Sequence, residues 1–309
     1  MEAAPAPRSY RHVILTRFNI PQNFANGRNP RVQALDARTD VPYLEGRFRL
    51  FEEFTFPSVA QQACQDFTWC VLFSDQTPLQ FKERNAQLTE RLPSYRPLYL
   101  TDDEAGHLDR YADALLHEEP CAHVLTTRID NDDAISCRFV ADLHAYLDAE
   151  PPEKAVLSFP YGLQYAPAAK LVCQQHIFGN HFISFFEPLG LANRCILGFH
   201  HSFPPQDMER VALEEKGRPM WMEVVHGSNF ANQLDVTPPH PVLDPSGLFD
   251  EFPITLEWGP ADTAAAVASV AERLAAQGAD AAVKTAQSGG RFLGRLLEPV
   301  ASLFGKRYS

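Results

Sequence analysis

Over the first 150 residues, short apolar β-rich runs alternate with longer stretches of helical patterning, and this alternation restricts the fold more than any other feature of the chain. The apolar runs are RHVILTRFNI (residues 11–20), FTWCVLFSD (67–75), YRPLYLT (95–101) and AHVLTTRID (122–130). Between them lie a polar loop at 21–42 and helical stretches at 47–62, 78–91, 102–118 and 134–149, the first broken at Pro57. Strands that alternate with helices form a mostly parallel sheet with helices packed on it, which predicts an α/β fold.

After Pro151-Pro152 the pattern changes. Residues 155–167 and 169–179 read as strands joined by a turn, followed by aromatic segments at 181–190 and 194–202 and a last segment at 219–234. They predict a smaller, more antiparallel half. From Ala261 the chain becomes Ala-rich and helical, breaks at Gly289-Gly290, and ends in an apolar stripe that includes Phe292, Leu296, Val300 and Phe304. The expected division is 1–150 as an α/β half, 151–258 as a second half and 259–309 as a helical extension. The terminal stripe, flanked by Arg291, Arg295, Lys306 and Arg307, reads either as an interfacial helix on acidic lipid or as a helix docked on the body. Pro299 favours the docked helix by kinking it.

With 309 residues and 45% hydrophobic content, the chain can bury a large core without crosslinks. Its formal charge of -12 argues against a general nucleic-acid binder, because phosphate backbones require clustered Lys and Arg. The six cysteines form no CxxC pair and sit mostly beside apolar residues, as expected of free buried thiols in a reducing compartment. The N-terminus lacks the basic start and uninterrupted apolar run of a secretory signal, and no run approaches the ~20 apolar residues of a membrane span. The expected location is the cytoplasm.

In parallel sheets ligands bind outside the carboxyl ends of the strands. By that rule Arg17 and Asn19, then Ser74 and Asp75, then the run from Arg128 to Asp133 share one rim. The octet TTRIDNDD (126–133) places three carboxylates and an amide at the end of a buried strand. A solvated turn is the plain reading, since Asp and Asn favour turns. The alternative is a site for magnesium, calcium or manganese, which prefer oxygen ligands. On an extended segment Asp130 and Asp132 point the same way. A calcium EF-hand loop is excluded, because Ile135 and Ala141 stand where it requires Gly and Glu.

An Asp-x-Asp triplet ending a central strand of an α/β half resembles the metal site of GT-A glycosyltransferases. Four motifs together are more specific: R-F-N after the first strand, L-F-E-x-F-x-x-P-S-x-x-x-Q, T-T-R-I-D-N-D-D, and W-x-x-V-x-H-G-x-N-x-x-N. Spanning residues 17–232, they resemble the bacterial putative rhamnosyltransferase family. That resemblance implies a GT-A-like fold, a nucleotide-sugar donor, a divalent metal (Mn or Mg) and a glycan or glycolipid acceptor. Carried onto this sequence, it makes Asp130 and Asp132 the metal pair, with His226 as a further ligand and Asp133 either a third ligand or a group on sugar hydroxyls. Arg17, Asn19, Arg49, Asp75, Arg128, Asn131 and Asn229 become candidates for holding the donor, while Ser58 and Gln62 are expected near the cleft.

An inverting transfer needs a base for the acceptor hydroxyl's proton. Glu187, among phenylalanines whose surroundings should raise its pKa, is the first candidate, and Glu223 is the second. Trp221 and Tyr161 are either acceptor platforms or core residues. Two further readings remain at this point. A nucleotidyltransferase usually carries an early Gly-rich loop, whereas the early loop here contains only Gly27. A non-catalytic glycan-binding protein should have lost its acidic ligands, and these are present.

Overall fold

The structure is a computed structural model that describes residues 8–20, 36–190, 196–198, 205–214, 217–227, 241–242, 244–256, 258–272 and 275. Among them, twelve strands run in chain order: β1 (Tyr10–Arg17), β2 (Thr68–Ser74), β3 (Tyr95–Leu100), β4 (His123–Arg128), β5 (Ala134–Ile135), β6 (Ala155–Ser158), β7 (Tyr161–Ala166), β8 (Leu171–His176), β9 (Ser184–Pro188), β10 (Glu209–Ala212), β11 (Trp221–Val224) and β12 (Pro241–Val242). They form a seven-stranded sheet of order β10-β6-β9-β4-β1-β2-β3 and a five-stranded sheet of order β12-β8-β7-β11-β5. The helices are α1 (Val41–Leu50), α2 (Phe56–Ala60), α3 (Leu79–Arg91), α4 (Asp102–Gly106), α5 (Leu108–Leu116), α6 (Phe139–Ala149) and the single turn α7 (Ser246–Phe249).

The first sheet is mostly parallel, as the alternation predicts: β3, β2, β1 and β4 run parallel, and only β9 is antiparallel to its neighbours. β1 is buried along nearly its whole length, the pattern of a central strand covered on both faces. The chain leaves β1 toward β2 and β3, then returns to β4 on the other side. This reversal makes β1/β4 the switch point, outside which ligands bind in open α/β sheets. The second sheet is mixed: β7 and β11 are parallel, and its other pairs antiparallel.

Sheet membership does not change at residue 150. β6, β9 and β10 return to the first sheet, while β5, directly after the acidic run, belongs to the second. Among the described residues the chain passes between the sheets five times, and two of these connections meet at one place: residues 129–133 from β4 to β5, and residues 177–183 from β8 to β9.

Four local expectations are corrected. The helix does not break at Pro57. α1 passes through a π-helical turn at Phe51–Thr55 into α2, and the Phe56 N–H bonds Phe51 C=O. Proline would clash with the carbonyl four residues back, and the wider turn removes that carbonyl from its path. Residues 134–135 are strand rather than the start of a helix, because their backbone pairs with β11. The run 155–167 is two strands in different sheets, divided at Phe159-Pro160, where proline has no N–H to continue a ladder. The acidic helix divides at His107, after Gly106 weakens it.

Aromatic packing sets α1 against the strand ends: Phe18, just past β1, lies 4.5 Å from Phe48 on α1 and 4.6 Å from Phe73 on β2. Asp40 caps α1 by accepting from the Tyr43 N–H at 2.8 Å, and Pro42 occupies its first turn. Arg47, next to Phe48, is thereby delivered to the rim. Residues 260–272 are helical, as expected for the start of the extension. The apolar stripe beyond residue 290 lies outside the described residues.

Candidate functional site

The acidic run is a turn, not an extended segment. The Asp133 N–H lies 3.5 Å from Asp130 C=O, so residues 130 and 133 are brought together while the two-residue alternation expected of Asp130 and Asp132 is lost. Asn131 fixes this turn to β1, its Nδ2 donating to the carbonyls of Arg17 (2.9 Å) and Phe18 (3.0 Å). Arg47 clamps it from α1, donating to Asn131 Oδ1 and, at 3.0 Å, to Asp132 Oδ2. The same Asp132 oxygen lies 2.9 Å from His226 Nε2, just beyond β11.

The three carboxyls thus have different partners. Asp130 accepts from the Arg128 guanidinium at 2.9–3.2 Å. Burial pushes its pKa up, but Arg128, Arg17 and His181 more than offset this and hold it below the ordinary carboxylate range. Asp132 is also held low: the burial penalty is outweighed by Arg47 and His226. Asp133 goes the other way, raised well above the ordinary value by burial and then by the charges of Asp132, Asp130 and Glu223. Its Oδ1 accepts from the Val224 N–H at 2.9 Å, while its Oδ2 is buried with no hydrogen-bond partner.

Where the connection from β8 to β9 meets that from β4 to β5, His181 joins the turn. Ligand atoms of Asp130, Asp133 and His181 lie within 4.8 Å of one another. Two carboxylates and an imidazole form a suitable donor set for manganese or magnesium, and the buried, unpartnered Asp133 oxygen is a ligand atom that such a cation would occupy. Asp132 and His226, 2.9 Å apart, stand beside this trio, and the Asp132 charge acts on Asp133. Glu223 on β11 borders it, with Oε1 3.6 Å from His181 Nδ1 and Oε2 accepting from Gln164 at 2.6 Å. Burial is the main influence raising the Glu223 carboxyl.

The other sequence candidates divide clearly. Arg17 lies at the end of β1 with its Nε buried and unpartnered, its pKa pushed down by burial and by the neighbouring Arg128. Asn19 is occupied in the fold, with Oδ1 accepting from the Ser74 N–H at 3.1 Å and Nδ2 donating to Thr77 Oγ1 at 3.0 Å. Asp75 is exposed just beyond β2. Arg49 faces solvent on α1. Ser58 bonds the Thr55 carbonyl, and Gln62 bridges the carbonyls of Ser58 and Ser136 while accepting from the Val140 N–H at the start of α6. Trp221 is core: it stacks on Phe182 at 5.2 Å and donates to the Phe159 carbonyl. Asn229 lies outside the described residues.

Glu187 is not brought to the cluster. It pairs with Val124 near the starting end of β4, because β9 runs antiparallel and only its first residue, Ser184, reaches the rim side. Sequence reasoning passed over Arg47, His181 and Gln164. Arg47 was legible in part: in the R-F-R stretch at 47–49 only one arginine can share the buried face with Leu44 and Phe48. His181 carries no local signal.

No curated protein matches the chain. Solved structures that do match are remote. Staphylococcus aureus TarS 1-349 in complex with UDP-GlcNAc is 10% identical, with 78% of this chain and 64% of that one covered and a TM-score of 0.39. Full TarS is 14% identical, with 70% and 37% covered and a TM-score of 0.37. Mouse xyloside xylosyltransferase 1 is 7% identical, with 48% and 52% covered and a TM-score of 0.28. This chain spans about a third to two thirds of the length of the TarS chains it matches. The sequence profile described as "Putative rhamnosyl transferase" matches residues 11–238, which include the acidic turn, His181 and His226, and the chain belongs to that family.

Proposed function

We propose that this protein is a metal-dependent glycosyltransferase that moves a sugar, rhamnose or another deoxyhexose, from a nucleotide-sugar donor to a bacterial surface glycan or glycolipid. The observation that carries the reading is the convergence of Asp130, Asp133 and His181 outside the carboxyl end of β4, with a buried carboxylate oxygen left without a partner. These three residues would hold the cation, and Asp132 with His226 stands beside them as an alternative ligand pair. A divalent ion there supplies positive charge for the diphosphate of the donor and for the departing nucleotide.

The chain's own groups supply the rest. Arg17 and Arg128, at the ends of adjacent strands, add fixed positive charge beside the turn. Glu223 is the proton acceptor: one carboxylate oxygen takes the proton of the acceptor hydroxyl as its oxygen bonds the anomeric carbon. The bond from that carbon to the diphosphate breaks, and the nucleoside diphosphate leaves with the electron pair. Burial of Glu223 brings its pKa upward, toward the range in which a carboxylate is an effective base near neutral pH. The proposed location is the cytoplasm, with peripheral contact at the inner membrane face only if the basic, apolar stripe of residues 291–307 meets acidic lipid instead of docking on the body.

The test is hydrolysis of a donor panel (dTDP-rhamnose, UDP-glucose, UDP-N-acetylglucosamine and GDP-mannose) with manganese, with EDTA, and with Asp133→Asn. Turnover of at least one donor, abolished by EDTA and by the variant, is expected. Turnover that survives both would refute the metal assignment.

A further inference from the structure

A row of buried polar side chains crosses the second sheet and ends at Glu223. Gln175 on β8 is 6% exposed, Gln164 on β7 8% and Glu223 on β11 7%. Their contacts are continuous: Gln175 Nε2 donates to Gln164 Oε1 at 3.0 Å, and Gln164 Nε2 donates to Glu223 Oε2 at 2.6 Å. The other Glu223 oxygen lies 3.6 Å from His181 Nδ1. Sheet register accounts for the row. Glu223 is opposite Gln164 across the parallel pair, and Gln175 is opposite Gly162, two residues from Gln164 and on the same face.

The row has one direction. An ionised carboxylate can only accept, so Gln164 must turn its NH2 toward Glu223. Its carbonyl then faces Gln175, which must in turn present its own NH2. Each amide fixes the orientation of the next, and the carboxylate at the end is left with one oxygen bound to the row and one facing His181. The surroundings are rigid. Trp221, on the same face of β11 as Glu223, lies over Gly162 and stacks on Phe182, the residue after His181. Three buried polar side chains in a sheet interior stabilise less than apolar packing would, unless every bond is made, and such networks chiefly specify geometry.

We propose that Gln164 is a positioning residue of the transfer, with Gln175 as its support. By holding Oε2, it presents Oε1 of Glu223 to the acceptor hydroxyl beside the metal cluster. This rests on the glycosyltransferase reading and on Glu223 as the base. It assigns Gln164 no contact with the donor, so its loss should change the chemical step and not donor binding.

The experiment measures manganese-dependent hydrolysis of whichever panel donor the wild-type protein turns over, in Gln164→Met and Gln175→Met. Each variant's affinity for the matching nucleoside diphosphate with manganese is measured by calorimetry. Gln164→Met, close in shape and without a donor N–H, should lower kcat about 10- to 100-fold with KM and nucleotide affinity within about twofold of wild type. Gln175→Met, one bond further from Glu223, should show a smaller loss of the same kind. Unchanged kcat in Gln164→Met overturns the proposal while leaving the functional reading intact, as does a loss confined to KM or nucleotide affinity. If Gln164→Met does not fold, Gln175→Met decides by the same criterion. Wild-type protein without turnover or manganese-dependent nucleotide binding would remove the functional reading first, and this role with it.

Discussion

Acidification should destabilise this protein through a histidine pair buried beneath the site-bearing strands. His12 on β1 and His144 on α6 approach to 2.9 Å, and His12 continues to Thr127 Oγ1 on β4, also at 2.9 Å. Burial, then the Arg8 charge, lowers His144 from the ordinary 6.5 to about 4, with Asp66 and Asp148 offsetting only part. His12, enclosed by the fold and facing His144 and Arg8, lies well below its ordinary value. Between the two His144 values the unfolded chain binds a proton that the folded chain does not. Stability is therefore full above pH 6.5, falls as pH drops, and stops falling from this group below about 4. The whole interval corresponds to about 3 kcal/mol, and about 2 kcal/mol of it is lost by pH 5. Urea unfolding of wild type and His144→Gln at pH 8 and pH 5 reads the effect directly. The variant keeps a hydrogen-bonding group but does not titrate, so its stability difference between the two pH values should be smaller by about 2 kcal/mol. Equal differences in the two proteins would refute the reasoning.

Other outcomes follow from residue placement. Arg47→Ala leaves the buried Asp132 without its guanidinium and should cost about 3–5 kcal/mol in chemical denaturation, whereas Arg49→Ala, two residues away and exposed, should stay within about 0.5 kcal/mol. Glu223→Gln should reduce donor turnover about 10²- to 10⁴-fold while Glu187→Gln, held at the far end of β9, leaves it near wild type; the reverse ranking would move the base to Glu187. A Cβ at Gly162 would overlap the Trp221 ring, so Gly162→Ala should cost about 1–3 kcal/mol and lower the melting temperature, and an unshifted melt would show that Trp221 can move aside.

Legibility in the sequence varied with how local each feature is. The alternation of apolar runs and helical patterning led directly to β1 to β4 and the helices between them, because those elements are held by their own periodicity and burial. The polar ends of β1 and β4 were placed on one rim by the same reasoning. Pairing partners were less legible. Residues 155–158 and 161–166 look like one strand, since nothing in 155–167 shows that β6 pairs with β9 while β7 pairs with β8 and β11. Glu187 shows the same limit: an acid among phenylalanines is visible in the sequence, but the direction of β9 decides which end of the sheet receives it.

The acidic octet shows the division most clearly. By itself the sequence determined that three carboxylates would leave a buried strand at the carboxyl edge of an α/β sheet, because strand propensity and the polar change at Arg128 are local properties. Only the tertiary structure decided which of them converge. The chain turns at residues 130–133 to enter a second sheet, which brings ligand atoms of Asp130 and Asp133 together, and a connection some 50 residues later brings His181 to the same point. That meeting depends on strand pairings distant in sequence, and a window of neighbouring residues holds no information about it.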